Sequence, residues 1–214
     1  MSTSPFLLIG ATGPTGRAIL AAASLAGLPV RALVRDSARL PQAQRCGAEV
    51  VQGDVRDVES VRLALRGTSA VVSALGTPLT MKPVSLLSVG TRTLVEGMGD
   101  VGVRRLLCIT GMGAGDSRGH GGFTYDRIVL PALLGRIYAD KDRQEAIVRA
   151  SSLDWVLVRP ALLTNETGQH RYRRIERFAP GERMTRIARA DVAHFLVEEL
   201  RTPSFHRTTV NLSD

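Results

Sequence analysis

Apolar residues along this chain fall into short runs separated by longer stretches with helical spacing. The runs Phe6–Ile9, Val30–Val34, Ala48–Gln52, Ala70–Ser73, Arg105–Thr110 and Trp155–Arg159 lack alternation, as strands buried on both faces do. Between them, Thr15–Ala26, a short piece near Ser37–Gln44, Val58–Leu65, Val84–Val101 and a long stretch from about Phe123 to Ala150 predict helices. Strands alternating with helices predict a parallel sheet covered on both sides, an α/β doubly wound architecture. After Pro160 the pattern loosens into a polar, arginine-rich segment. Ala188–Leu200 then predicts a last helix and Thr208–Leu212 a last strand, which together make a small C-terminal elaboration.

Composition narrows this picture without changing it. With 214 residues and 44% hydrophobic content, one folded domain spanning 1–214 is expected. No apolar run reaches membrane-spanning length and the first residues lack a signal-peptide pattern, so no membrane association is expected. Cys46 and Cys108 are far apart, and Cys108 lies in an apolar run as a small buried hydrophobe would, which fits a reduced, cytoplasmic setting. No His, Cys, Asp or Glu spacing suggests a metal, and no GxSxG turn is present. The net charge of +8 comes almost wholly from arginine. Only Arg171, Arg173, Arg174, Arg177, Arg183, Arg186 and Arg189 are dense, and aromatic residues make up 4%, so few platforms exist for stacking bases. A small-molecule substrate is expected rather than nucleic acid.

The chemistry begins at Gly10-Ala11-Thr12-Gly13-Pro14-Thr15-Gly16, placed between the first strand and the first helix. Gly10 permits a sharp exit from the strand, Gly13 admits a pyrophosphate to the backbone, and Gly16 allows close helix–strand packing. Pro14 suits a helix start, where its missing N–H costs little. The helix N-terminus offers amide donors and a positive dipole end, and Thr12 and Thr15 add hydroxyls. The second strand then ends in Arg35, with Arg39 four residues on. A guanidinium here accommodates the 2′-phosphate of NADP(H), whereas Asp36 beside it could lean toward a ribose. Asp54 could accept from an adenine amino group with Val55 against the ring, or cap the following helix. Ala74, Leu75 and Gly76, with Thr77, could run alongside the cofactor.

These pieces resemble the atypical short-chain dehydrogenase/reductases, NAD(P)H-binding proteins of the NmrA-like type, and most of all their flavin reductase/biliverdin-IXβ reductase group. The resemblance rests on GATGPTG, LVRDSARLP (Leu33–Pro41), GDV (Gly53–Val55), SALGT (Ser73–Thr77) and SLDWVLVRPALLTN (Ser152–Asn165). It implies a Rossmann fold, NADP as cofactor held mainly by residues 1–110, and substrate-side elements over 111–214. It also implies a nicotinamide near the ends of the fifth and sixth strands, where Thr110, Gly111 and Met112 face Pro160, Ala161, Leu162 and Leu163.

In that resemblance a serine, a tyrosine and a lysine four residues after the tyrosine carry proton transfer. Here Gly111 stands where relatives carry the serine, leaving Thr110 as the nearby hydroxyl, and Tyr138 precedes Lys141 by three residues. Tyr138 is therefore either an acid or an ordinary helix contact, and Lys141 either a ribose ligand or a solvated charge. The segment Gly111–Gly122 holds six glycines in twelve residues and reads as a mobile lid or a surface connection, with His120 and Tyr125 as possible acids on it, although a lone His in a glycine loop is usually just exposed. The expected activity is NADPH-dependent hydride transfer to a conjugated acceptor such as a flavin, a quinone or a related carbonyl or enone. The alternatives are an NmrA-like NADP(H) sensor without turnover and an epimerase/dehydratase-like enzyme. A monomer or homodimer is expected.

Overall fold

The computed structural model describes residues 4–80 and 82–214. Its strands are β1 (Phe6–Ile9), β2 (Val30–Val34), β3 (Glu49–Gln52), β4 (Ala70–Ser73), β5 (Arg105–Ile109), β6 (Asp154–Pro160), β7 (Leu162–Thr164), β8 (Arg173–Ile175), β9 (Arg186–Ala188) and β10 (Thr208–Ser213). Its α-helices are α1 (Pro14–Leu25), α2 (Val58–Leu65), α3 (Leu86–Val101), α4 (Gly135–Ala150) and α5 (Arg189–Arg201). An eight-stranded sheet runs β3-β2-β1-β4-β5-β6-β10-β8, parallel throughout except for the β10–β8 pair at its edge. This is the Rossmann-type doubly wound arrangement expected from the apolar runs.

Side chains from alternate strand positions feed two cores. Phe6, Leu8, Ala32, Val72, Leu107 and Val156 meet Ile19 and Leu20 of α1 and Phe195 and Leu196 of α5 on one face. On the other, Leu7, Ile9, Val71, Leu106 and Leu157 meet Val61 and Leu65 of α2, Leu94 and Met98 of α3 and Val148 of α4. Each such fully buried aliphatic side chain contributes about 1.5–3 kcal/mol of transfer free energy, so the sheet is the rigid frame on which the loops hang.

Three departures from the periodicity have local causes. The predicted helix near Ser37–Gln44 is two 3₁₀ turns, Ser37–Arg39 and Gln42–Gln44, separated by Pro41, which lacks the amide a continuous helix needs. The predicted stretch from Phe123 to Ala150 is a π-helical segment, Tyr125–Leu134, followed by α4. Pro131 lies inside the π segment, where a regular i→i−4 ladder would require its missing N–H. The arginine-rich segment also contains short strands, with β7 and β9 forming a parallel pair of their own. Three residues each, with arginine at three of the six positions of β8 and β9, are too few to show alternation.

Three consecutive residues of α4 tie it to separate elements. Asp140 accepts from the amides of Leu87 (2.9 Å) and Ser88 (3.4 Å) and from Ser88 Oγ, capping α3 from outside its own chain segment. Lys141 donates to the carbonyl oxygen of Thr110 at the end of β5. Asp142 accepts from the Gly115 amide at 3.1 Å and pairs with Arg118. Helix α4 therefore fixes the start of α3, the exit of β5 and the glycine-rich loop together.

Candidate functional site

A cleft of about 520 Å³ opens beyond the carboxyl ends of β1, β2 and β4. This is where the strand order reverses, between β1 and β4, the position at which such sheets take ligands. Gly10, Thr12, Gly13, Pro14, Thr15 and Gly16 form one wall, Arg35, Arg39 and Val55 the next, and Ala74, Leu75, Gly76, Thr77, Pro78 and Leu86 the far side.

The glycines are there for space. At Gly16 a Cβ would lie 2.7 Å from Ala11 Cα and closer still to the Gly10 carbonyl oxygen, so only glycine lets α1 approach β1 this closely. Gly10 adopts φ +85, and a Cβ there would run into the Ala74 backbone. Gly13 differs: a Cβ on it would meet only Gly10 O at 3.5 Å, so its face toward the cleft is clear. Gly76 has nothing within 4 Å of its Cβ position. Pro14 opens α1, whose first-turn amides have no intrahelical acceptor, and Thr15 and Gly16 of that turn line the cleft. These features fit a dinucleotide pyrophosphate.

Arg35 and Arg39 are both exposed on the cleft wall. Asp36, which could have turned toward a ribose, accepts instead from the Ala38 amide at 2.9 Å and caps the 3₁₀ turn carrying Arg39. Asp54 lies outside the lining. Its carboxylate is gripped by Arg56 (2.6 Å), which holds the carboxyl below its ordinary 3.8. The cap of α2 is Asp57, which accepts from the Ser60 amide, so the capping alternative for Asp54 is set aside. Val55 is buried in the cleft wall, and its methyl sits where a Cβ on Gly90 would be (2.9 Å), which explains the glycine within α3.

The remaining sequence-predicted residues gather in a second group outside the cleft lining. Ile137 of α4 packs with Leu75, Val84 and Leu87, so this face of α4 abuts the far wall of the cleft. One residue on, Tyr138 points its hydroxyl at Gly111: a Cβ on Gly111 would lie 3.1 Å from Tyr138 Oη and 3.7 Å from Lys141 Nζ. Burial pushes the Tyr138 hydroxyl far above its ordinary 10, so it stays a neutral phenol. Burial pulls the Lys141 ammonium down to about 8. Thr110 is buried and its Oγ1 donates to Glu145 (2.8 Å), so the hydroxyl faces the network below and not open space.

That network went unnoticed in the sequence. Glu145 of α4 and Arg159 of β6, 3% and 1% exposed, form a bidentate pair at 2.8 and 2.6 Å, and Arg159 continues to Asp116 in the glycine-rich loop. Burial raises the Glu145 carboxyl, but Arg159 and Thr110 outweigh it and hold the group below its ordinary 4.5. The signal available beforehand was weak: a Glu in a charged helical run and an Arg in an apolar strand, which only the fold brings together.

The glycine-rich loop is tied down. Besides Asp116, Ser117 accepts from the Gly113 amide (2.9 Å) and Arg118 donates to Gly113 O (3.0 Å). His120, expected to be exposed, is half-buried. It stacks on Phe178 at 3.7 Å, its Nδ1 lies 2.7 Å from Glu182 O, and its carbonyl accepts from the Met184 amide. Met112, Pro160 and Ala161 are buried in strand-end backbone pairing, Leu163 is half-buried, and Leu162 is 62% exposed beside them. Cys108 is buried as expected, and burial pushes its thiol up to about 12. Among the described residues no group of His, Cys, Asp or Glu could hold a metal ion, and no helix is long and apolar enough to cross a membrane.

Comparison with known proteins agrees with this geometry. A family model described as NAD(P)H-binding matches residues 10–203. The NAD(P)H azoreductase of Xenophilus azovorans is 27% identical over 154 residues, covering 72% of this chain and 46% of the azoreductase, so the chain spans under half of that relative. Among solved structures, ChuY, an anaerobilin reductase of Escherichia coli O157:H7, superposes with a TM-score of 0.83 at 24% identity, covering 98% of this chain and 97% of ChuY. A short-chain dehydrogenase/reductase of Veillonella parvula solved in complex with NADP gives a TM-score of 0.82 at 15% identity over 99% of this chain and 94% of that one. At these identities the two structures speak for the fold.

Proposed function

The chain belongs to the NAD(P)H-binding family, and on that premise we propose that it is an NADPH-dependent reductase acting on a small conjugated acceptor such as a flavin, a quinone or a related carbonyl or enone. The observation that carries the reading is the cleft wall formed by Arg35 and Arg39 with Asp36 turned away to the Ala38 amide. Two guanidinium groups with no free carboxylate between them favour a ribose bearing a 2′-phosphate over one bearing hydroxyls.

The amides of the first turn of α1, with Gly13 giving backbone access, would hold the pyrophosphate. Val55, Leu75 and Leu86 supply apolar walls that exclude water from the adenine and ribose. Lys141 of α4, which donates to the Thr110 carbonyl at the end of β5, would offer an ammonium to the second ribose. A nicotinamide cofactor held there would supply a hydride. The protein's own share is orientation of the acceptor, with solvent supplying the proton, because burial keeps Tyr138 from giving its proton up. The relatives bearing reductase names support this choice of reaction class.

The test is NADPH oxidation followed at 340 nm against riboflavin, FMN, quinones and enones. Turnover of at least one acceptor is expected. Tight NADPH binding with no oxidation across the panel would overturn the reductase reading and favour an NADP(H) sensor.

A further inference from the structure

A second cavity, of about 450 Å³, opens at the opposite end of the sheet, below the first residues of the strands. It lies between the turn after α1 and the loop after α5. Strand register builds it: Phe6, Ala70, Arg105 and Asp154 stand side by side in four neighbouring parallel strands. Residues in register project to the same face, here the one covered by α1 and α5. Ala70 sits between Phe6 and Arg105, and its single methyl leaves the space that a larger residue would fill. Leu28, Pro29, Leu200 and Pro203 complete the apolar wall.

The polar end of this cavity is rigid. Arg105 donates through Nη1 to Asp154 and to Phe205 O, both at 2.9 Å, and through Nη2 to Glu199 at 2.6 Å. Glu199 also accepts from the amides of Ser204 and Phe205, at 2.9 Å each, which fixes the loop that forms the far wall. Asp154 is fully committed, because His206 Nδ1 lies 3.0 and 3.1 Å from its two oxygens and Arg105 shares one of them. Arg201 differs: its Nη1 pairs with Glu198 at 3.2 Å, and that is its only side-chain partner among the described residues. The wall thus presents an apolar surface and free guanidinium donors. The one carboxylate lining it is already occupied, which leaves a cation without a partner.

We infer that this cavity is a second ligand site, for a small apolar carboxylic acid whose body lies against Phe6, Ala70 and Leu200 and whose carboxylate pairs with Arg201. Small-molecule sites run from about 300 to 1,000 Å³ and are mostly apolar with a few placed polar groups, a description this cavity meets. It is separate from the cofactor cleft. Helix α1 has 12 residues, about 18 Å of helix, and stands between Gly13 at the cleft and Leu28 here. No hydride crosses that distance, so the ligand is held and not reduced. The inference stands whether or not the reductase reading does.

The experiment titrates naphthoate into the full chain by calorimetry, with and without NADP⁺, beside the neutral naphthalenemethanol and the cationic naphthylmethylammonium. Naphthoate is expected to saturate, to bind about tenfold more tightly than the alcohol, and to bind equally in both cofactor conditions; the ammonium should bind weakest. Arg201→Gln should weaken naphthoate about tenfold and leave the alcohol unchanged. Ala70→Leu, which fills the cavity, should abolish binding of both. Arg201 is on the surface, so its variant keeps the fold and decides the matter even where Ala70→Leu does not fold. Naphthoate that does not saturate, that binds no better than the alcohol, or that binds equally in Arg201→Gln overturns the inference. Displacement of naphthoate by NADP⁺ overturns it as well, because the acid would then occupy the cofactor cleft.

Discussion

Replacing Glu145 by Gln removes one charge from the buried network without changing its shape. Arg159 is 1% exposed and would keep only Asp116 as a counter-charge. The Asp116 side chain is 75% exposed, so solvent screens its attraction. Breaking a buried pair by removing one partner costs about 3–5 kcal/mol, and the remaining Asp116 contact argues for the lower end, about 3 kcal/mol. For a domain of this size each kcal/mol moves Tm by roughly 2–4 °C, so Glu145→Gln should melt about 6–12 °C below wild type at pH 7 by circular dichroism. Replacing both partners, Glu145→Leu with Arg159→Met, should recover most of that loss, because neither charge is then buried alone. The pH dependence has a fixed sign. Glu145 is held below its ordinary 4.5 in the folded chain, so its contribution is present above that pH and is lost as pH falls through the folded value. Wild type should therefore lose its margin over Glu145→Gln in acid. A Tm drop below about 2 °C in the single variant, or a double variant less stable than the single, would refute this account of the network.

Other residues yield sharper or smaller effects. Gly16→Ala forces a Cβ to within 2.7 Å of Ala11 Cα, so α1 must shift away from β1; overpacking of this kind costs about 1–3 kcal/mol, and calorimetry should register both a lower Tm and lost NADPH binding. Asp140→Ala strips the cap from α3 and leaves the Leu87 and Ser88 amides unpaired; about 2 kcal/mol lower stability in urea melts is expected, and an unchanged midpoint would mean the α3–α4 tie is idle. Lys141 is charged below about pH 8 and neutral above it. NADPH affinity in wild type should fall about tenfold between pH 7 and 9.5, while Lys141→Arg shows no such fall.

The fold was legible because its signals were redundant. Strands β1, β2 and β4 were bounded in the sequence as they stand in the structure, since each is a short apolar run closed by a glycine, an arginine or a serine. The cleft was legible for the same reason: Gly10, Gly13, Gly16, Arg35 and Arg39 lie in one continuous strand–turn–helix unit and its neighbour, and they line one cavity. The second group was harder to read. Tyr138 faces Gly111 from a helix that follows a π-helical segment, a change of helical pitch that the apolar periodicity does not reveal. The Glu145–Arg159 pair joins residues fourteen apart in sequence, one in a charged stretch of helix and one in an apolar strand, which only the fold brings together. His120 gave no warning because its partners, Phe178 and Glu182, lie in the segment with the weakest pattern.

The central claim is that Arg35 and Arg39 select a 2′-phosphorylated dinucleotide, and paired titrations of NADPH and NADH into wild type and Arg35→Ala test it most directly. Charge-assisted hydrogen bonds to a phosphate are worth about 1.5–3 kcal/mol each, roughly 10- to 150-fold in affinity. The account predicts that Arg35→Ala weakens NADPH by that factor, leaves NADH nearly unchanged and so collapses the preference. Equal weakening of both cofactors, or a wild type that binds NADH as tightly as NADPH, would contradict it.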